Sequence, residues 1–304
     1  MIAVVESSDR LVRAIDRERN IRIAATITTQ LVGEAARRHE LSPAASCAVG
    51  RALSAGALLA TLTKGDERVT VQILGNGPLG SITVDANGSG DVRGYALHGG
   101  AAIDLGPQRR IADLVGHSGV VNVVRDLGMK ELYQGQVPLV TGEVDEDIEA
   151  YLRTSEQVPS ALGCEVVLDE VGRVTAAGGI LIQAMPGGEP DIVREAQHAL
   201  RTGRLYEALR GGGLSAPDLA QRIYSAGPVE IVGEERVVRF RCRCTPERIG
   251  DMLALLGTGD LDEMIAEDKP AEVVCNYCNT RYQVARPELE RIRADVAGRL
   301  RGSN

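Results

Sequence analysis

Aromatic residues and lysine are scarce in this chain of 304 residues. Tryptophan is absent, Phe240 is the only phenylalanine, and the only lysines are Lys64, Lys130 and Lys269. A platform of aromatic rings on which nucleic-acid bases could stack is therefore not expected. The net charge of -8 also argues against a protein that coats nucleic acid, because neutralising phosphates requires clustered basic residues.

Long apolar runs are missing as well. The most apolar segment, Ala44 to Leu62, is interrupted by Arg51, and no run approaches the ~20 uncharged residues that a membrane helix needs. The N-terminus has no basic region followed by an apolar one, so no secretory signal is visible. We therefore expect a cytoplasmic protein that does not span a membrane.

Residues 1–188 show the pattern of an α+β domain. The alternation from Ile21 to Ile27 predicts a half-buried strand, followed by a helix through Arg38. Ser42 and Pro43 are typical of an N-cap and first helical position, so a second helix is expected there. The same reasoning predicts one more helix and several strands: a helix at Asp145–Thr154, and strands at Val69–Leu74, Ser81–Asp85, Val92–Ala96, Cys164–Leu168 and Ile180–Ala184.

The chain after residue 188 divides into a linker and a small module. Residues 189–238 predict two helices, Pro190–Arg210 and Ala216–Tyr224, with too few apolar residues to fold alone. We expect this helical linker to pack on another part of the protein. Residues 239–304 form a module of about 60 residues, a size at which a hydrophobic core is marginal without a covalent or metal staple.

Neither the glycine-rich motif of the chain nor its histidines predict an enzymatic site. Gly75–Gly80 matches G-x-G-x-x-G, but a strand-like alternation follows where a dinucleotide site needs a helix, so a hairpin turn is predicted. The four histidines are scattered and no catalytic set emerges, so an enzyme is not expected. Cys47 and Cys164 are interpreted as small buried hydrophobic residues.

The remaining cysteines fall into two close pairs, C-x-C at Cys242 and Cys244 and C-x-x-C at Cys275 and Cys278. Alternation in residues 239–244 predicts a strand that places Phe240 and the first pair on one face. Four thiolates suit one tetrahedral zinc ion per chain, with iron as the alternative metal. On ligand spacing alone, a purely structural zinc is favoured over a redox sensor.

Two features support a redox role. Each pair is close enough in sequence to form its own disulfide, and two such bridges would consume every metal ligand. Thiolates held by zinc beside Arg241, Arg243 and Arg281 would stay deprotonated, which is the oxidisable form. Because zinc supplies ~10–16 kcal/mol in small modules, its loss should unfold this one.

The chain resembles the heat-shock protein 33 family of redox-regulated bacterial holdase chaperones over nearly its whole length. The two cysteine pairs occur in that family's order, and five further segments match its signatures: Gln72–Gly80, Val92–Tyr95, Ser155–Ser160, Ala177–Gly179 and Gln183–Gly187. The fold implied is an N-terminal α+β domain, a helical linker, and a small C-terminal four-cysteine zinc module.

The resemblance implies a resting, zinc-bound chaperone that is activated by oxidation. Disulfides Cys242–Cys244 and Cys275–Cys278 would form, zinc would leave, and the linker would lose its support. Unfolding client proteins would then bind without nucleotide, and the active form would be a homodimer. Four residues of the linker's apolar face are the candidate client-binding side chains: Ile192, Leu200, Leu205 and Ile223.

Two other classes of function stay open. One is a zinc-ribbon protein that binds nucleic acid or the ribosome with a purely structural zinc, supported by the arginines at 239, 241 and 243. The other is a thiol–disulfide oxidoreductase. It is disfavoured because no helix follows Cys275 and Cys278 to lower a thiol pKa.

Overall fold

The computed structural model describes residues 9–63, 67–106, 110–126, 128, 132–267 and 269–302. These residues form two compact units, one ending at Arg241 and the other beginning at Cys242. The fold is α+β, as predicted. The division at 188 and 238 remains a prediction about which segments unfold independently.

The first sheet of unit 1, sheet A, is antiparallel, and in it the predicted strand at Ile21 is confirmed. Its strand order is β10-β1-β2-β9-β8, with β11 also paired to β1. The bounds are β1 Arg10–Asp16, β2 Ile21–Ile27, β8 Ser160–Leu168, β9 Val174–Ala184, β10 Glu230–Ile231 and β11 Arg236–Val237. Both faces of this sheet are apolar, so each is covered by other elements.

The second sheet of unit 1, sheet B, has the order β12-β5-β4-β3-β6-β7. The bounds are β3 Arg68–Gly75, β4 Ser81–Asn87, β5 Asp91–Ala96, β6 Gly119–Asp126, β7 Tyr133–Pro138 and β12 Arg239–Phe240. The turn between β3 and β4 confirms the predicted hairpin at Gly75–Gly80. A Cβ atom at Gly77 would lie only 2.4 Å from Leu114 O, so the close approach of the two backbones requires glycine at this position.

Helix α2, Pro43–Leu59, occupies the core between the sheets and continues into a 3-10 turn, Ala60–Leu62. The predicted N-cap is confirmed, because Ser42 Oγ accepts a hydrogen bond from Ala45 N. Residues 43–62 are long and apolar enough to cross a membrane by composition, but 89% of that window is buried inside the protein. This segment is the core helix of the fold.

Three shorter helices complete the N-terminal part of unit 1. They are α1 Thr29–Arg38, α3 Ala112–Val115 and α4 Val144–Thr154. The first and last match the predicted helices. Arg51 of α2 reaches two carboxylates, Glu143 at 2.8 Å and Glu165 at 3.0 Å, which compensate its burial.

The linker segment packs on the face of sheet A that is opposite α2. It contains α5 Pro190–Arg201, α6 Arg204–Arg210 and α7 Ala216–Ile223. The prediction of one continuous helix from Pro190 to Arg210 is wrong. Gly203 has a φ of 86°, a left-handed conformation that ends one helix and starts the next.

Unit 2 has its own small core, with Leu261 and Leu289 fully buried. Its elements are α8 Pro246–Leu253, α9 Thr258–Ala266, the hairpin β13 Ala271–Val274 and β14 Arg281–Val284, and α10 Arg286–Gly302.

Candidate metal centre

The two cysteine pairs converge on one point in unit 2. The four Sγ atoms of Cys242, Cys244, Cys275 and Cys278 all lie within 4.8 Å of one another. Two of the distances are 3.7 Å, between Cys242 and Cys275, and 3.3 Å, between Cys244 and Cys278. The structure therefore brings together the four thiols that the sequence singled out.

The second pair is positioned by the tight turn between β13 and β14. Cys275 O accepts hydrogen bonds from Cys278 N at 3.3 Å and from Asn279 N at 2.8 Å, and Cys275 N donates to Thr280 O at 2.9 Å. Asn279 has a φ of 57°, a left-handed conformation that asparagine tolerates. These bonds fold the loop so that both thiols lie on the same side of it.

The first pair does not lie on a strand, so that prediction is wrong. Strand β12 ends at Phe240, and Cys242 and Cys244 follow in irregular backbone. Residues two apart on a strand are separated by about 6.5–7 Å. Sulfur atoms around one zinc ion are about 3.8 Å apart, given Zn–S bonds of about 2.3 Å.

A helix cap holds the backbone immediately after the first pair. Thr245 Oγ1 accepts a hydrogen bond from Arg248 N at 3.3 Å, and Arg248 donates from its side chain to Arg243 O at 3.0 Å. Helix α8, capped by Thr245, thus begins two residues after Cys244. This local structure fixes the loop that carries the first two sulfurs.

The donor set fits a zinc ion. Sulfur–sulfur distances of 3.3 and 3.7 Å are close to the ~3.8 Å edge of a tetrahedron of thiolates, and four sulfurs complete such a shell without a position for water. Thiolate sulfur is a soft ligand that suits zinc or iron. The cluster could therefore hold one metal ion, with zinc as the better fit to a closed structural site.

Without a cation two of these thiols are poor acids. Burial raises the pKa of Cys275 to about 12, and it also raises the pKa of Cys244. A coordinated divalent cation reverses this tendency, because it favours the thiolate directly. Thiolates at this site would therefore need a positive charge beside them.

Two hydroxyl groups border the sulfurs, and sequence reasoning missed both. Tyr282 donates a hydrogen bond to Cys244 Sγ at 3.1 Å, which raises the pKa of Tyr282. Thr280 Oγ1 lies 3.2 Å from Cys278 Sγ. Tyr282 alternates with Arg281 and Gln283 on β14, and that alternation could have identified the inward-facing residue.

The arginines near the cysteines have partners other than sulfur. Arg241 lies 3.6 Å from a carboxylate oxygen of Asp91, and Arg281 lies 2.9 Å from Glu272. The expectation that these guanidinium groups keep the thiolates deprotonated is therefore weakened. A bound cation would favour the thiolates directly.

The scattered cysteines lie where they were expected. Cys47 is in α2 and Cys164 is in β8, and both are buried in the core. Burial raises the pKa of Cys164 well above its ordinary value. Neither belongs to the metal cluster.

The four linker residues considered for client binding face the protein interior in unit 1. Ile192, Leu205 and Ile223 are buried, and Leu200 is partly buried beside them. They form part of the apolar layer between the linker helices and sheet A. Exposure of these side chains therefore requires the linker to leave the sheet.

Polar contacts also hold the linker to sheet A and α4, and no local sequence pattern predicts them. The Tyr224 hydroxyl donates to Asp16 at 2.7 Å. Glu149 of α4 accepts hydrogen bonds from Gln197 at 2.9 Å and from Arg201 at 3.1 Å. Burial alone would raise the pKa of Asp16, but the hydrogen bonds from Tyr224 and Arg19 lower it.

Comparisons with known proteins agree over almost the entire chain. The family model described as Hsp33 protein matches residues 9–285. The chain is 38% identical over 287 residues to the 33 kDa chaperonin of Bacillus subtilis (strain 168), covering 94% of this chain and 98% of that protein. It is 40% identical over 292 residues to the 33 kDa chaperonin of Synechococcus sp. (strain JA-3-3Ab), covering 95% and 91%.

A solved structure is similar as well. The crystal structure of the 33 kDa chaperonin (heat shock protein 33 homolog) from Thermotoga maritima superposes with a TM-score of 0.84 at 31% sequence identity. The match covers 96% of this chain and 99% of that chain.

Proposed function

Since the chain belongs to the Hsp33 family, a family of chaperones, we propose that it is an ATP-independent holdase chaperone switched on by oxidation and zinc release. The observation that carries this proposal is the convergence of four thiols on one point in a unit with a small core. The alternative metal-binding role, a zinc that is only structural, uses the same thiols but no oxidation.

In the resting form, Cys242, Cys244, Cys275 and Cys278 hold one zinc ion. Zinc binding contributes ~10–16 kcal/mol in comparable small modules. A unit of about 60 residues buries too little surface to replace that contribution. Unit 2 is therefore proposed to fold only with its metal.

Oxidation removes the ligands. Two zinc-bound thiolates become one disulfide and give two electrons to hydrogen peroxide, which takes up two protons from solvent and leaves as two waters. We assign the bridges to Cys242–Cys244 and Cys275–Cys278 on family resemblance. Distance does not select the pairing, because sulfurs of different pairs lie as close as 3.3 Å.

The linker responds because its C-terminal end is weakly fixed. Strands β10, β11 and β12 are two residues long, and each pairs with one neighbour in unit 1. When unit 2 unfolds, these short pairings are proposed to open and the linker helices to leave sheet A. Ile192, Leu200, Leu205 and Ile223 would then form an apolar surface for unfolding client proteins.

Other properties follow from the same proposal. The oxidised form is a homodimer, the protein acts in the cytoplasm, and binding of clients requires no catalysis. The nucleic-acid alternative loses its best support in the structure. Arg239 forms a 2.7 Å ion pair with Asp91, and Arg241 lies 3.6 Å from the same carboxylate.

Light scattering from a heat-denatured client tests the switch. The client is mixed with reduced protein, with peroxide-oxidised protein, or with oxidised protein that has been re-reduced with zinc. We expect suppression of aggregation by the oxidised sample only, together with release of one zinc per chain. Equal suppression by reduced and oxidised samples would leave the zinc structural, and no suppression by either would remove the chaperone function.

A further inference from the structure

A cavity of about 200 Å³ opens on one face of sheet A in unit 1, outside the metal site. Its apolar walls come from strands β1, β2 and β9, from the end of the core helix, and from the linker: Ile15, Ala24, Leu181, Leu62 and Val232. Its polar lining includes Arg13, Arg22 and Gln183. The proposed switch uses none of these side chains.

Strand register places both arginines on the same face as the apolar walls. Arg13 is paired with Ala24, and Ile15 is paired with Arg22. Directly paired residues of neighbouring strands project to the same side of a sheet, as do residues two apart on one strand. The two guanidinium groups therefore flank a small apolar surface.

The guanidinium of Arg22 is held in place by buried groups. Its Nε donates to Gln183 Oε1 at 2.9 Å, and Gln183, which is fully buried, donates from Nε2 to Ser160 Oγ at 2.7 Å. The two terminal nitrogens of Arg22 have no acceptor among the residues that the structure describes. This arrangement presents a fixed pair of donors.

Neither arginine has a counter-ion in the described part of the chain. Glu156, the acid whose charge acts on Arg22, forms an ion pair with Arg125 at 2.5 Å. Burial lowers the pKa of Arg22, as expected for a cation removed from water. A partly desolvated cation without a partner is costly, and a bound anion would offset that cost.

We propose that this cavity binds a small carboxylate with a short apolar tail. The carboxylate lies on the terminal nitrogens of Arg22 with Arg13 beside it, and the tail packs on Ile15, Leu62 and Val232. A volume of about 200 Å³ holds six or seven waters at ~30 Å³ each, which matches a tail of about five carbons. The ligand is either a free short-chain acid or the C-terminal residue of a peptide chain.

Isothermal titration of the reduced, zinc-loaded protein tests this site without any variant. The probes are hexanoate, hexan-1-ol and acetate. Hexan-1-ol keeps the apolar tail without the carboxylate, and acetate keeps the carboxylate without the tail. We expect hexanoate to bind at least tenfold more tightly than the other two. N-acetylleucine mimics the C-terminal residue of a peptide chain. Tighter binding of N-acetylleucine than of hexanoate identifies the ligand as a chain end, and the reverse identifies it as a free short-chain acid.

Charge-neutral variants locate the binding. Arg22→Gln and Arg13→Gln should each weaken the favoured acid at least tenfold. Arg37→Gln, at an exposed arginine of α1 that pairs with Glu34, should leave binding unchanged. The site is refuted if hexan-1-ol binds as tightly as hexanoate, if neither acid binds at 20 mM, or if folded Arg22→Gln binds like the parent. Should Arg22→Gln not fold, the comparison of acid with alcohol decides.

Discussion

Each of the four clustered sulfurs is expected to contribute to the affinity for zinc. The two thiols in the core are expected to contribute nothing to it. Replacing Cys275 by Ser exchanges a soft ligand for a hydroxyl and leaves three thiolates, so zinc affinity should fall sharply. Cys47→Ser changes a thiol buried in α2 and should keep one zinc per chain. Zinc content is measured by a chromophoric chelator, and equal content in the two variants would contradict the ligand assignment.

The hydroxyl of Tyr282 tunes the same site through its hydrogen bond to Cys244 Sγ. Loss of such outer-shell contacts costs about 10–100-fold in metal affinity in other proteins. Tyr282→Phe should therefore still bind one zinc per chain, but with affinity lowered by about that factor in a chelator competition. Tyr133→Phe, on the exposed edge strand β7, is the control. An unchanged affinity in Tyr282→Phe would show that the hydroxyl contributes only to packing.

At the scale of single elements, α7 is fastened by one buried hydroxyl. Tyr224→Phe removes a donor to Asp16, and leaving a buried carboxylate short of a donor costs about 1–3 kcal/mol. Amide exchange in Ala216–Ile223 should accelerate in the reduced variant, and the peroxide concentration needed for activation should fall. Hydrogen–deuterium exchange followed by mass spectrometry measures the effect, with Tyr133→Phe as the control variant. Identical exchange in both variants would show that apolar packing alone holds the helix.

Most elements could be predicted from sequence because their apolar period is complete. Strand β2 alternates along its full length, and α2 begins with a serine and proline that cap it. Strand β7 could not be predicted, because it is an edge strand in which Val137 is its only buried residue. Strand β1 carries Arg10, Arg13 and Asp16, so its alternation is interrupted by charge, although Asp16 is buried against Tyr224.

The cysteine cluster could be predicted from sequence spacing, whereas its surroundings could not. Cysteines close in sequence must share a site if one ion holds them, so the pattern is local. The contact of Asp16 with Tyr224 joins residues 208 positions apart, and that of Glu149 with Arg201 joins residues 52 apart. Such pairings depend on strand order and helix packing, which no local pattern encodes.

At the scale of the whole molecule, the two units should differ in their need for metal. Unit 1 has a large core built around α2, whereas unit 2 has a small one. Removing zinc with a chelator under reducing conditions should therefore unfold unit 2 and leave residues 1 to about 188 folded. Limited proteolysis should then cut first between Glu189 and the C-terminus. Early cuts within Val69 to Tyr95 would contradict the division of the chain.

Strand β12 gives the chain a defined point of mechanical weakness. Arg239 N and Arg241 N donate to Gly90 O and Val92 O, and these are the last backbone bonds of unit 1. Tension applied at Cys242 acts first on that pair of bonds, then on β11, then on β10, and reaches the helices last. The linker should therefore detach from its C-terminal end in successive steps, one short strand at a time. Force spectroscopy on the whole chain would record those steps as a series of small extensions before the core of unit 1 yields.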